Sequence, residues 1–236
     1  MIDGVLSALR DVYDPELDES LVDLQFVDDV RVQEGQVEVV LRLPTFWCAP
    51  NFAYLMAHDA REAVLRVPGV RSVRVTLRDH MYSDEISSGK PFAEAFGDQA
   101  ESDDLAELRQ LFNRKAFGMR QEQLVHFLRE VGLSAGEVVA LRTDSVLPRG
   151  AAPLLRQYLH RRTRLGVAGD VLITDVYGRA IPAQQLDTYL REQRRQRISM
   201  TFNALMCKGL LGTRYELPHP SPLPEVEGTK SKEARR

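Results

Sequence analysis

The feature that most constrains this chain is a pair of β-rich runs folded about one glycine. Phe26-Val27-Asp28-Asp29-Val30-Arg31-Val32 and Val37-Glu38-Val39-Val40-Leu41-Arg42-Leu43 flank the turn-like Gln33-Glu34-Gly35. β-Branched residues on both sides of such a turn predict a hairpin. A hairpin alone cannot bury its apolar face, and the flanking sequence supplies the cover. Ahead of it, Val5, Leu6, Leu9 and Val12 recur at helical spacing. Asp14-Pro15-Glu16 stops that helix, because the Pro15 ring disfavours helical geometry at Asp14. Behind it, residues 50–66 carry Phe52, Leu55, Met56, Ala60, Ala63 and Val64 on one face, and Pro68-Gly69 ends the run. Residues 70–77 then alternate as a strand should. The order helix, hairpin, helix, strand predicts an α+β sandwich with helices on one face of a single sheet.

The character changes after Leu77. Residues 78–104 are polar and read as a linker, with one short helical turn at Phe92–Phe96. Beyond it the pattern is mainly helical. Leu105, Leu108, Leu111 and Phe112 predict one helix, and Leu124, Val125, Phe127 and Leu128 another, so Gly118 reads as a helix-end glycine, as does Gly166. Ser134-Ala135-Gly136-Glu137 is a capping-box pattern. Leu154, Leu155, Tyr158 and Leu159 mark a further helix, residues 171–181 a short hairpin, and residues 183–211 a long closing helix. The division expected is an α+β domain at 1–86, a linker at 87–104, a mainly helical domain at 105–216 and a proline-rich disordered tail at 217–236.

Charge and cysteine usage narrow the functional classes. A net charge of −3 gives no global pull toward nucleic acid or an anionic membrane. The two cysteines, Cys48 and Cys207, are too few for a disulfide framework and too far apart in sequence for a self-contained zinc motif. The first residues lack the pattern of a signal peptide, and no apolar run approaches the ~20 residues that span a bilayer. A cytoplasmic protein with reduced thiols is the expectation. Dinucleotide, phosphate-loop, nucleophile-elbow and zinc-protease signatures are absent, which argues against an enzyme.

The chemistry concentrates in Leu43-Pro44-Thr45-Phe46-Trp47-Cys48-Ala49-Pro50-Asn51, where a strand hands over to a helix. Pro50 suits the first helical turn, so Cys48 lies at or just before a helix N-terminus, where free N–H groups and the dipole favour a thiolate. Such a thiolate can ligate a soft metal, carry a sulfur adduct or attack an electrophile. The structural alternative is a small residue buried under Trp47 and Phe52.

Asp14-Pro15-Glu16-Leu17, Ser20-Leu21-Val22-Asp23-Leu24, the glycine hairpin, Thr45 before Cys48, and Pro68-Gly69-Val70-Arg71-Ser72-Val73-Arg74-Val75 follow one another in an order and at distances that resemble a known family. It is the SufT/PaaD-like family of iron–sulfur cluster assembly factors, also called metal–sulfur cluster biosynthetic proteins, and the likeness covers about residues 5–86. The resemblance implies a small α+β domain that assists cluster delivery to client proteins, with Cys48 in the position of the family's reactive cysteine. It also implies an iron–sulfur cluster or iron as passing cargo, other assembly factors as partners, and a client metalloprotein, including subunits of multicomponent monooxygenases. Three positions depart from the family pattern. Gln25 stands where the family has glycine after Asp-Leu, Ala49 separates Cys48 from Pro50, and Asp79-His80-Met81-Tyr82 replaces a proline–tryptophan pair.

Further candidates surround Cys48. Asp14 and Glu16 can tune or ligate a metal if their loop folds toward the thiol, or Asp14 simply caps a turn. Asp23 carries the same two readings. Thr45 can hydrogen-bond the sulfur or end its strand. His80 and His58 read as satisfied or exposed histidines, and Cys207 as a packed thiol. Since one cysteine cannot enclose a cluster, the remaining ligands would come from a second subunit, Cys207, carboxylates or a small thiol, and a cluster-bridged homodimer is expected. Two basic stretches, His160-Arg161-Arg162 with Arg164, and Arg191, Arg194, Arg195 and Arg197, read as solvated helix faces or as a surface for an acidic client. The competing functions are a non-catalytic adaptor with a structural Cys48 and a basic-helix nucleic-acid binder.

Overall fold

A computed structural model describes residues 1–100 and 105–217. Residues 101–104 of the expected linker, and the expected tail beyond Leu217, lie outside the described residues.

The hairpin forms where the pattern puts it. Strand β1 (Val27–Gln33) pairs antiparallel with β2 (Gln36–Arg42), Val30 opposite Val39, with a bulge between Val27 and Asp29. The two-residue turn places Glu34 at φ 49° and Gly35 at φ 81°, the left-handed pair that matches strand twist in a tight hairpin. Gly35 is required twice over, because a Cβ there would also lie 2.7 Å from the Gly69 carbonyl oxygen. Strand β3 (Ser72–Arg78) runs parallel to β2 in the order β1-β2-β3, Arg78 opposite Arg42. The parallel crossover is helix α2 (Pro50–Leu65), as a parallel pair demands. Alternation puts Val37, Val39 and Leu41 of β2 into the core, against Val5 and Leu9 of helix α1 (Ile2–Arg10) and Ala53, Met56, Ala57, Ala60 and Val64 of α2.

The stretch read as a linker is anchored to the first core at two points, while residues 88–91 between them are exposed. Helices α3 (Ser83–Ser87) and α4 (Phe92–Phe96) place Ile86 and Phe96 in the same core. The physical reason is an aromatic cluster in otherwise polar sequence: Phe92 and Phe96 centroids lie 4.7 Å apart, with Tyr54 at 5.3 Å from Phe92 and Tyr82 at 5.5 Å from Phe96.

A second core gathers Phe117, Leu124, Leu128, Val138, Tyr158, Leu172, Ile173 and Leu186. It is built by helices α5 (Ala106–Glu130), α6 (Ala135–Ala140), α7 (Ala151–Arg164) and the start of α8 (Ala183–Tyr215). The two helices expected between residues 105 and 128 are one, since nothing between Phe112 and Leu124 breaks a helix. Gly118 is therefore not a helix end. It sits mid-helix, where a side chain would collide with Gln193 of α8. The capping box at Ser134 and Glu137 is present. The expected hairpin is present at minimal length, as one antiparallel bridge between Thr174 and Ala180.

Helix α8 belongs to both cores. Leu186 lies in the second, whereas Ala204 and Leu211 lie in the first. At 1.5 Å per residue its 33 residues reach about 50 Å. Its end meets the C-terminal ends of β2 and β3, where Tyr215 receives Arg42, Arg78 and Arg214 on its ring. Among the described residues no helix is long and apolar enough to cross a membrane.

Candidate functional site

Because β2 and β3 are parallel and end level, the loops leaving them emerge side by side. Residues 43–49 carry Cys48 and residues 79–82 carry His80. Ala49 caps α2 and Pro50 opens it, so Cys48 precedes the cap by one residue. Thr45 Oγ1 lies 3.2 Å from Cys48 Sγ, which puts the threonine hydroxyl on the sulfur rather than merely at a strand end. His80 is buried and satisfied at both nitrogens. Its Nδ1 accepts from the Tyr82 N–H at 3.2 Å, which leaves Nε2 to donate to the Cys48 carbonyl at 2.9 Å. Burial pushes the His80 pKa down, which favours this neutral form. The Met81 N–H donates to the Phe46 carbonyl at 2.9 Å. Arg214 of α8 donates to the carbonyls of Leu43 at 3.1 Å and Asp79 at 2.6 Å. Two elements, the loop of residues 79–82 and α8, thus hold the cysteine loop by its backbone, and Cys48 itself is only partly buried. Trp47 does not cover it: Trp47 is 72% exposed.

The loop after α1 closes on itself through a bridge between Tyr13 and Ser20. Asp14 Oδ1 accepts from the N–H groups of Glu16 and Leu17 at 2.8 and 2.9 Å, the capping role expected of it. Burial nevertheless raises the Asp14 carboxyl to about 7, outweighing those two donors. Glu16 is half-buried in the same loop, and Glu19 is ion-paired with Lys208 of α8.

Cys207 is the packed thiol that the sequence reading expects. It packs against the first core, as Cys48 does, and is half-exposed. Burial, followed by the negative charges of Asp14, Cys48 and Glu16, pushes its thiol up to about 12. Cys48 and Cys207 thus pack against one core, and among the described residues no three ligating side chains converge closely enough to hold an ion. Asp23 is exposed and lines a different, polar depression with Arg120 and Gln157. His58 is exposed and faces Asp59. Beside the thiol loop, Thr45, Phe46 and Trp47 form an apolar groove with Leu205, Met206 and Leu210 of α8.

The first basic stretch is not a surface face. Arg161 is buried in an ion pair with Asp18, and Arg162 donates to the carbonyls of Leu172, Ala168 and Gly169 at 2.9 to 3.1 Å. Arg161 meets a carboxylate far along the chain and Arg162 meets nearby backbone carbonyls, and neither partnership shows in composition.

Comparison with known proteins agrees with the fold. Residues 2–77 match the model of a family described as iron–sulfur cluster assembly protein. The chain is 37% identical over 86 residues to an uncharacterized protein of Methanocaldococcus jannaschii, covering 36% of this chain and 88% of that protein. It is 41% identical over 75 residues to an iron–sulfur cluster carrier protein of Synechocystis, covering 32% of this chain and 21% of that carrier. The sheet, the held cysteine loop and these matches coincide on one segment, and through it the chain belongs to the iron–sulfur cluster assembly protein family.

Proposed function

We propose that this chain assists assembly or delivery of an iron–sulfur, or related iron, centre to a client protein, with Cys48 as the handling thiol and without catalysing a reaction of its own. The observation that carries this reading is the state of Cys48. It is half-exposed, hydrogen-bonded through its sulfur to Thr45, and set in a backbone held by His80 and Arg214. A packing cysteine needs none of these; a thiol that must present its sulfur in one orientation needs all of them.

Cargo would be a guest, ligated by the Cys48 sulfur and completed by other donors. Thr45 orients the sulfur, and the buried Asp14 supplies a carboxyl that can give up its proton when positive charge arrives. The groove of Phe46, Trp47, Leu205, Met206 and Leu210 is where a client's apolar surface would reach the thiol. An oxygenase subunit is one client class in this proposal, other assembly factors are its donors, and a cytoplasmic setting keeps the thiol reduced. Asp23, on another depression, has no part in holding cargo in this reading.

Anaerobic reconstitution with iron and sulfide tests the proposal. Wild type should gain a sulfur-to-iron charge-transfer band and bound iron, and Cys48→Ala should lose both. Uptake unchanged by Cys48→Ala would favour a structural Cys48 and an adaptor.

A further inference from the structure

We propose that Cys207 is the second thiol of the Cys48 site, so that one chain offers a two-sulfur ligand set for a soft cation or for one iron of a cluster. This rests on the reading of Cys48 above and adds a ligand from outside the family-matched segment.

The geometry of α8 carries the argument. Ala204 and Leu211, three residues before Cys207 and four after, are buried in the first core, so helical spacing turns Cys207 toward that core. On either side of it, α8 touches the two loops of the site. Lys208 Nζ is ion-paired with Glu19 in the loop that carries Asp14 and Glu16. Met206 and Leu210 share the groove with Thr45, whose hydroxyl is on the Cys48 sulfur. Arg214, two turns on, is fixed to the start of the cysteine loop at Leu43. Cys207 thereby lies on the stretch of α8 that touches both loops, and the residue is only partly buried. The opposition to its ionisation from Asp14, Cys48 and Glu16 agrees with that placement.

Two thiolates suit a thiophilic ion. They also match what one iron of a [2Fe–2S] centre takes from protein, which leaves the other iron's positions to a donor, a client or a second copy of this chain. Such a half-site can pass a cluster on without first dismantling a closed cage. Ligation releases the proton of each thiol to solvent as its sulfur–metal bond forms, with no change of oxidation state.

Cobalt(II) titration under anaerobic conditions tests the pair, because the thiolate-to-cobalt absorption counts bound sulfurs. Wild type should show two-thiolate intensity, and Cys48→Ala and Cys207→Ala should each fall to about half and bind at least about tenfold more weakly. Full intensity in Cys207→Ala with loss in Cys48→Ala would overturn the pair and leave the Cys48 reading standing. Intensity unchanged in both variants would overturn both, as would no cobalt uptake by wild type. Dibromobimane, whose fluorescence rises when both arms react with neighbouring thiols, checks the geometry without metal on the unmutated chain. Bridging of Cys48 to Cys207 supports the proposal, and single-site labelling alone would overturn it.

Discussion

The two cores of this chain use their polar groups in opposite ways. Around the second core they are turned inward and spent on one another. Gln121 donates to the Tyr158 hydroxyl and the Thr174 carbonyl, each at 2.8 Å. Tyr158 donates to the Leu172 carbonyl at 2.7 Å, and Arg197 pairs with Glu122 at 2.6 Å. Around the first core the buried polar groups instead serve loops at one end of a sheet, and they fix backbone while leaving a sulfur half-exposed. The helical half is thus a scaffold, and what it delivers to the first half is the last turns of α8. A second region that brings a lysine, an arginine and, in the proposal above, a thiol to a smaller site is a way of changing that site without altering its sheet. This view can be broken at the joint, at the loop, at the clamp and at one backbone position, in falling order of effect.

The joint is Asp18, which is 1% exposed. Its carboxylate meets Arg120 of α5 at 2.6 Å and Arg161 of α7. Removing it strands the buried Arg161 and leaves Arg120 only the residue-18 carbonyl, Gln123 and Gln157, and breaking a buried pair by deleting one partner costs roughly 3–5 kcal/mol. Asp18→Ala should therefore lose about that much in urea unfolding and separate one cooperative transition into two. A loss below about 1 kcal/mol would mean the halves are merely adjacent, because that is what exposed pairs contribute.

The loop is tested through Asp14. Burial raises its folded pKa to about 7, above the unfolded carboxyl. The folded state therefore binds this proton more tightly than the unfolded chain. The resulting stability is fully present below about pH 4 and is lost as pH rises to about 7. Asp14→Asn keeps an acceptor for the Glu16 and Leu17 N–H groups but does not titrate. Wild type should lose stability against this variant between about pH 4 and pH 7, by on the order of a few kcal/mol. Urea midpoints that run parallel across that range would show that Asp14 is ionised in the fold and supplies no proton to the site.

What the sequence made legible and what it hid divide along the same line. Every strand, and helices α1, α2, α6, α7 and α8, announced themselves because period and punctuation are local. Pro50 at the start of α2 and Glu34-Gly35 in the hairpin are examples. The place of Cys48, just before the α2 cap, was readable for the same reason. The continuity of α5 was not, because Gly118 serves a distant helix while looking like a stop. Arg161 was misjudged because its partner, Asp18, lies far along the chain, and Arg162 because the backbone carbonyls it meets carry no pattern of their own. His80 read as a satisfied histidine and is one, but its partner, the carbonyl of Cys48, carries no sequence signal at all.

The clamp is His80. In His80→Phe the ring volume stays, while the Cys48 carbonyl and the Tyr82 N–H lose their partner, at a cost of about 1–3 kcal/mol in thermal unfolding. If the histidine positions the thiol loop, iodoacetamide should also alkylate Cys48 at a changed rate in a Cys207→Ala background. A destabilised variant with an unchanged rate would reduce His80 to packing.

Gln25 gives the finest test, because it concerns a turn and not a contact. It occupies a position where the family pattern has glycine, and its φ is 60°, the left-handed region that side chains avoid. The turn is nonetheless kept: the Gln25 carbonyl accepts from Arg42 Nε at 3.1 Å, and the next residue, Phe26, is buried. Arg42 in turn pairs with Asp28 at 2.7 Å and lies against Tyr215 of α8. The helical half therefore helps to hold a turn that a glycine would hold by itself. Gln25→Gly should raise stability by up to about 1 kcal/mol, relief of strain being partly offset by the freer unfolded chain. In Tyr215→Ala, where α8 no longer backs Arg42, the same substitution should gain more. Equal gains in both backgrounds would mean that the turn is set by residues 23–26 alone, and that the reach of α8 ends at the cysteine loop.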